Sequence, residues 1–267
     1  MNSLRITLIG GPTALIEIYG FRLLTDPTFD APGTYQLPHV KLEKLSSPAL
    51  KPEAIGKVDA VLLSHDQHAD NLDHSGKAFL AKAKRVLTTV AGAKRLGGHA
   101  EGLMPWATTE LSGKDGRSLT ITATPARHGP AGIEPLSGDV IGFVLTSKDK
   151  SPPIYISGDT VWYDGVAEVA RRFKAGVVLP FAGAAQTRGP FHLTMDTNDT
   201  IETARVSGRC DRPLAHRWLG ALPSERKGSA RVIRYAWVWL ASENPRARSR
   251  HRHRASASLL NGVGTGQ

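Results

Sequence analysis

The sequence predicts a mixed α/β fold, and two observations lead to that prediction. Short β-branched and leucine-rich runs recur along residues 1–206, and glycine, proline or polar turns separate them. From residue 75 onward these runs alternate with segments of helical composition, which is the rhythm of βαβ units. Polar clusters follow several of the runs directly, at the strand ends where α/β folds usually carry their functional residues.

The N-terminal part predicts a β-meander and then a long loop. Its strands are expected at residues 4–9, 14–19 and 21–25. Asp26-Pro27 closes the meander, and the proline-rich stretch 31–52 has weak periodicity, so we expect it to wrap the surface as a loop. The apolar run at residues 58–63 predicts a buried strand.

The remaining chain to residue 206 alternates between the two element types. We predict strands at residues 85–89, 119–124, 140–146, 153–157 and 176–180. We predict helices at residues 75–84, 90–96, 164–173 and 196–206. Asp164 is expected to cap the third helix, and Asp196 or Thr197 the fourth.

The stretch VLLSHDQHADNLDH, residues 61–74, carries the strongest chemical signal. Three histidines and three aspartates occupy the ten positions after its apolar run. Imidazole and carboxylate groups at close spacing are the usual ligands of zinc and similar divalent ions. The alternative is a solvated loop in which histidine happens to be common, so partners at other strand ends decide between the two.

Three downstream residues are candidate partners. His128, in PARHG, follows the strand at residues 119–124, and Asp159, in SGDT, follows the strand at 153–157. His192 precedes the last predicted helix. Each has a structural alternative: a capped turn for His128, a helix N-cap for Asp159, and an ordinary loop position for His192.

Composition limits the class of protein. Residues 1–206 hold 22 Lys and Arg against 21 Asp and Glu, while residues 207–267 hold 12 against 3, so the net charge of +10 belongs to the C-terminal part. The single cysteine, Cys210, excludes an internal disulfide. No charged-then-apolar leader and no long apolar span is present, which predicts a cytoplasmic protein without a membrane span.

The order of these motifs resembles the metallo-β-lactamase fold superfamily of hydrolases. The most similar branch includes ascorbate-6-phosphate lactonase-like and N-acyl-phosphatidylethanolamine phospholipase D-like proteins. The resemblance covers residues 1–206 and implies an αββα sandwich for this part of the chain. We expect residues 207–267 to form an irregular, poorly ordered tail.

The family signature is HxHxDH, and this sequence departs from it twice. In His65-Asp66-Gln67-His68-Ala69-Asp70-Asn71 one residue is inserted between the first two histidines, and asparagine stands at the last histidine position. The resemblance implies a first metal on His65, His68 and His128. It implies a second on Asp70 and Asn71, with Asp159 bridging the two. Because an amide oxygen is a weaker zinc ligand than imidazole, we expect weaker occupancy of the second position.

The resemblance also implies metal-assisted hydrolysis of a small ester, lactone or phosphodiester. We expect Zn²⁺, as one or two ions, with Mn²⁺ or Fe²⁺ as alternatives. Asp70 is expected to orient the attacking water and His192 to act at the edge of the site. The sequence leaves the oligomeric state open.

Two other functions compete with this one. The protein could be a catalytically impaired member of the fold, or its Arg- and His-rich segment 246–254 could bind nucleic acid. That segment lacks interleaved aromatic residues and any recognisable binding motif, so we expect no nucleic-acid partner.

The C-terminal part further suggests an out-of-frame translation after about Val206. There the charge balance changes, and the cysteine and three of five tryptophans occur. Residues 207–223, SGRCDRPLAHRWLGALP, can be encoded so that reading from one base later gives PDAAIVPLHTDGWAHF. That string holds an apolar strand followed by histidine and resembles the closing motif of the family. The encoded chain would then lack its terminal ligand unless His216 substitutes for it.

Overall fold

The structure is a computed structural model that describes residues 4–36, 41–113, 116–148, 151–187 and 189–207, and then 217–219, 226–227, 230–231 and 237–239. The strands of its first half are β1 (Arg5–Gly10), β2 (Thr13–Ile18), β3 (Phe21–Thr25), β4 (Gly33–Gln36), β5 (Lys41–Lys44), β6 (Ala60–Leu62), β7 (Val86–Thr89) and β8 (Ala100–Leu103). Those of its second half are β9 (Thr108–Ser112), β10 (Ser118–Pro125), β11 (Ile141–Ser147), β12 (Ile154–Ile156) and β13 (Val177–Leu179).

Two large sheets form the centre of the fold. The first has the order β1-β2-β3-β6-β7-β8, antiparallel through the meander and parallel from β3 onward. The second has the order β13-β12-β11-β10-β9 and is antiparallel except for the parallel pair β12 and β13. The predicted meander and βαβ rhythm are therefore both present.

The main core lies between the two sheets. In β10 the alternate residues Leu119, Ile121 and Ala123 are fully buried in it, as a strand's period of two requires. From the first sheet, Leu23 and Leu62 pack into the same cluster. Burial of such side chains contributes about 1.5–3 kcal/mol each to folding.

Helices cover the outer face of each sheet. They are α1 (Pro52–Ile55), α2 (His74–Phe79), α3 (Val90–Leu96), α4 (Glu134–Ser137), α5 (Asp164–Phe173) and α6 (Thr197–Ser207), with a 3₁₀ turn at Leu80–Lys82. Phe79 of α2 packs with Val61 on the first sheet, and Val166 of α5 packs with Tyr155 on the second. The layer order is the predicted αββα sandwich.

One predicted helix cap is confirmed, and another is wrong. The Asp196 Oδ1 atom accepts a hydrogen bond from the Asp199 backbone N–H at 2.8 Å, which is the expected cap of α6. Asp164 does not cap α5, because it is already the first helical residue and the extended residue before it is Tyr163.

The predicted loop at residues 31–52 is also wrong. It contains the antiparallel hairpin of β4 and β5, in which Tyr35 pairs with Leu42, followed by α1. The hairpin lies outside both large sheets and is largely polar, so its apolar periodicity is weak. Strands β8 and β9 were not predicted, because each is an edge strand with polar residues.

Four short strands fall in the C-terminal part: β14 (Arg217–Leu219), β15 (Arg226–Lys227), β16 (Ala230–Arg231) and β17 (Trp237–Trp239). Strands β14 and β17 pair with each other, and β16 runs parallel to β5. The expectations for Cys210, His216 and the segment 246–254 lie outside the described residues. Among the residues that are described, no helix has the length and apolar character to cross a membrane.

Candidate metal centre

The candidate ligands follow strand ends that meet at one edge of the sandwich. His65 comes three residues after β6, His128 three residues after β10, and Asp159 three residues after β12. The Ile141 backbone N–H, at the start of β11, donates to the Ser64 carbonyl oxygen at 3.1 Å and joins the two sheets at this edge.

Glycine is required beside Asp159. Gly158 has φ +62°, and a Cβ atom there would lie 2.5 Å from the Ile141 carbonyl oxygen. A larger residue would therefore be strained and would also push against the backbone that joins the sheets.

Four of the predicted residues converge on one point. His65, His68, His128 and Asp159 each offer a ligand atom, and these atoms all lie within 4.8 Å of one another. The His65 Nε2 and His68 Nδ1 atoms are 2.8 Å apart, and the His128 Nε2 atom is 3.9 Å from the Asp159 Oδ2 atom. His65 and His68 come from one loop and His128 and Asp159 from two others, so the structure brings together residues from three strand-end loops.

Hydrogen bonds on the far side of two rings orient them. The His128 Nδ1–H donates to the Leu193 carbonyl oxygen at 2.8 Å, which leaves the Nε2 lone pair facing Asp159. The His65 Nδ1 atom lies 2.9 Å from the Ser64 hydroxyl, which in turn donates to Asp26. Such outer partners hold metal-binding histidines in one tautomer and orientation.

The electrostatics of the cluster favour a cation. Burial, and then the neighbouring His68 and His128, lower the pKa of His65 well below its ordinary value, so its imidazole is neutral. Burial, and then the charges of Asp70 and Asp26, raise the pKa of Asp159 well above that of a free aspartate. A neutral imidazole and a buried carboxylate are groups that a divalent ion stabilises.

Two buried oxygen atoms also remain for a ligand. Among the described residues, neither the Asp159 Oδ1 atom nor the Asn71 Oδ1 atom has a hydrogen-bond partner of normal geometry. Unpartnered buried oxygens are unusual in native proteins and call for an ion or water. The residues present therefore fit a bound metal ion by their donor types, protonation and open coordination sites.

The other predicted site residues lie outside this cluster of four. Asp70 is partly buried, and its charge acts on Asp159. The Asn71 Nδ2 group donates to the Asp26 Oδ2 atom at 2.9 Å, so half of its amide is already engaged. His192 is partly exposed, with its Nδ1 atom 3.5 Å from the Asp196 Oδ2 atom, and its neighbour Leu193 holds His128.

Asp26 is the site residue that the sequence analysis missed. It is fully buried, and it accepts hydrogen bonds from the Ser64 backbone N–H and hydroxyl and from Asn71. Burial raises its pKa to about 7, although these hydrogen bonds act to lower it. Its position directly after the last predicted strand of the meander, a strand end like those before the other candidate residues, was the available signal.

The inserted part of the histidine loop is fixed from outside. Asp66 forms an ion pair with Arg95 of α3, and the Gln67 amide packs against Gly138. These two residues separate the first two histidines. The extra residue relative to the family signature is therefore accommodated in a loop that is anchored on both sides.

Comparison with known proteins identifies the family. Residues 21–213 match the family model described as a beta-lactamase superfamily domain. The chain belongs to this family. It is 27% identical over 215 residues to the UPF0173 protein YddR of Bacillus subtilis, covering 76% of this chain and 82% of that protein.

Two further relatives carry enzyme names. The chain is 30% identical over 167 residues to a UPF0173 metal-dependent hydrolase of Myxococcus xanthus, covering 57% of this chain and 54% of that protein. A crystal structure of isothiocyanate hydrolase from Delia radicum gut bacteria is similar with a TM-score of 0.64 and 26% identity, covering 75% of this chain and 80% of that one. With the family match, these similarities identify a metal-dependent hydrolase of the metallo-β-lactamase fold.

Proposed function

We propose that this protein hydrolyses a small ester, lactone or phosphodiester with a water molecule activated at the cluster of His65, His68, His128 and Asp159. The observation that carries this proposal is the convergence of three imidazoles and a buried carboxylate within 4.8 Å. We further propose Zn²⁺ as the ion and small molecules as the substrates. Isothiocyanates join the candidates because one similar structure is that of an isothiocyanate hydrolase.

Each residue of the site has a proposed role. His65, His68, His128 and Asp159 would hold the first ion, and Asp70 and Asn71 would contribute to a second. A bound divalent ion lowers the pKa of water to about 7 and polarises the attacked carbonyl or phosphoryl group. Asp70 orients the water and accepts its proton, and His192, at the edge of the cluster, donates a proton to the leaving group.

The residues around the site prepare this chemistry before substrate binds. Ser64 and the Leu193 carbonyl keep the lone pairs of His65 and His128 directed inward. Burial of Asp159 excludes water from one side of the cluster. Both effects reduce the reorganisation that the reaction requires.

The test begins with metal content per chain for the wild type, His128→Ala and His74→Ala. His74 is the matched control, because it is an exposed histidine of the same sequence stretch that begins α2. We expect zinc in the wild type and in His74→Ala, and an affinity lower by more than about 100-fold in His128→Ala.

Activity is then measured on a panel of esters, lactones, phosphodiesters and isothiocyanates. Turnover that depends on His128 and on metal supports the proposal. Equal metal content in His128→Ala and wild type would refute the assigned site, and a metal-loaded wild type inactive on the whole panel would refute the assigned substrates.

A further inference from the structure

A cavity of about 460 Å³ lies beside the candidate metal centre. The β1–β2 turn, the β4–β5 hairpin with the segment that follows it, and the histidine loop form its walls. Its volume is within the range of small-molecule sites in proteins, about 300–1,000 Å³. The described residues that contribute apolar surface include Pro12, Tyr35, Leu42, Leu45 and Pro48.

The cavity reaches the reacting end of the site through Asp70. Asp70 is one of its lining residues, and it lies two residues after His68 in the histidine loop. A molecule that fills the cavity therefore has one end next to the residue proposed to orient the water. The other end of that molecule lies at the side of the cavity formed by the β4–β5 hairpin.

Two charged side chains of the wall are engaged in ion pairs. The Lys44 Nζ atom is 3.0 Å from the Asp73 Oδ2 atom, so its charge is already paired and its alkyl stem faces the ligand. Glu43 is paired with Lys41 at 2.9 Å. Glu43 and Lys44 therefore both line the cavity as members of ion pairs, so neither selects a charged ligand.

We propose that this cavity binds the apolar acyl or alkyl group of the substrate and that it determines substrate specificity. This inference rests on the proposed function and narrows it to substrates that carry an apolar acyl or alkyl chain. The bond to be cleaved lies at the Asp70 end, and the chain extends under the β4–β5 hairpin. Longer chains gain binding because they remove more apolar surface from water.

The test uses a cavity-filling variant in the segment after β5 and a control variant in β4. Ser46 lines the cavity and is exposed, so Ser46→Trp narrows the cavity without disturbing the core. Thr34, in β4, is also exposed and is not among the described residues that line the cavity. Thr34→Trp is therefore the control.

The first readout is the ratio of kcat/KM for p-nitrophenyl hexanoate to that for p-nitrophenyl acetate. We expect Ser46→Trp to lower this ratio by about tenfold or more with metal content unchanged, and Thr34→Trp to leave it within about twofold. An equal effect of Ser46→Trp on both esters would overturn the proposal. If Ser46→Trp does not fold, Leu45→Trp fills the same cavity and is subject to the same criteria.

The second readout separates the cavity from the proposed reaction. Binding of hexanamide, an uncharged and unreactive probe, is followed by saturation-transfer NMR in the wild type and both variants. Binding that is lost in Ser46→Trp and kept in Thr34→Trp supports the cavity even if neither ester is hydrolysed. A wild type that does not bind hexanamide overturns the inference, whatever its activity.

Discussion

Arg95 holds Asp66 through two hydrogen bonds, one from Nε at 2.9 Å and one from Nη2 at 2.6 Å. Asp66 follows His65 directly, and Arg95 lies in the last turn of α3. The Asp66 side chain is 7% exposed, so the pair is shielded from water on one side. Helix α3 thus fixes the loop that carries two of the candidate ligands.

Arg95→Met should weaken metal binding by about 10- to 100-fold, because the loop between the histidines loses its anchor and Asp66 is left without its charge partner. Zinc affinity is measured by competition with a chelating dye. Arg205→Met is the matched control, since Arg205 binds Glu202 with the same two-bond geometry on an exposed face of α6. The same loss of affinity in both variants would contradict a local effect.

Gly158→Ala should destabilise the protein by about 1–3 kcal/mol more than Gly56→Ala. Both glycines have positive φ, +62° and +68°, so both variants carry backbone strain. Only at Gly158 does the added Cβ meet other atoms, and at Gly56 no described atom lies within 4 Å. Urea denaturation of the metal-free proteins measures the difference in the free energy of unfolding between the two variants. Equal urea midpoints would contradict the prediction, because they would mean that the added Cβ at Gly158 is accommodated without loss of stability.

Asp30→Asn should reduce stability at neutral pH and have less effect in acid. Although burial acts to raise it, hydrogen bonds from Ser75, Tyr35 and His74 hold the pKa of Asp30 well below its usual range. The ionised form is therefore favoured in the folded state, and its stabilisation is present above the unfolded pKa of about 3.9 and is lost as the pH falls below it.

We expect Asp30→Asn to lower the free energy of unfolding by about 1–2 kcal/mol at pH 7, with the difference shrinking below about pH 4. Urea denaturation at several pH values measures it. Asp164→Asn, at an exposed aspartate in the first turn of α5, is the control. A difference that grows toward acid pH would reverse the predicted sign.

Asp70→Asn should lower kcat by about 10²–10⁴-fold while the first metal is retained, because an amide cannot accept a proton from water. Metal content and kcat are measured on the same samples. Loss of all metal in this variant would mean that Asp70 acts as an essential ligand of the first ion and not as the base.

The gene should carry the closing family motif in another reading frame after about Val206. Sequencing the gene tests this directly, since stop codons or an unrelated sequence in that frame would exclude it. Restoring the frame is expected to raise both metal content and hydrolytic rate, because a terminal ligand is regained. An unchanged rate would mean that the C-terminal part does not contribute to the site.

The sequence predicted the elements and candidate ligands whose signal is local. Strand β6 is a continuous apolar run, and His65 follows it within the same stretch of sequence, so hydrophobicity and residue type were sufficient. The bounds of α5, Asp164–Phe173, were also correct, because its buried residues recur with helical spacing.

The features that the sequence analysis missed or predicted wrongly depend on contacts between distant residues. Asp26 was read only as the end of a meander, because its role comes from the pairing of β3 with β6, which lie far apart in sequence. The hairpin of β4 and β5 was read as a loop, because it is stabilised from outside by Tyr35 bound to Asp30 and Lys44 bound to Asp73. Neither partnership leaves a periodic pattern in the sequence.

The candidate ligands come from both sheets of the sandwich. His65 and His68 follow a strand of the first sheet, whereas His128 and Asp159 follow strands of the second. An ion shared between them would fasten the two halves of the chain together, as a cross-link that only the folded protein can form. At a free metal concentration of 100 times its Kd, such an ion would add about 2.7 kcal/mol to the free energy of unfolding. Metal supply would then govern how long the protein survives proteolysis as well as how fast it reacts.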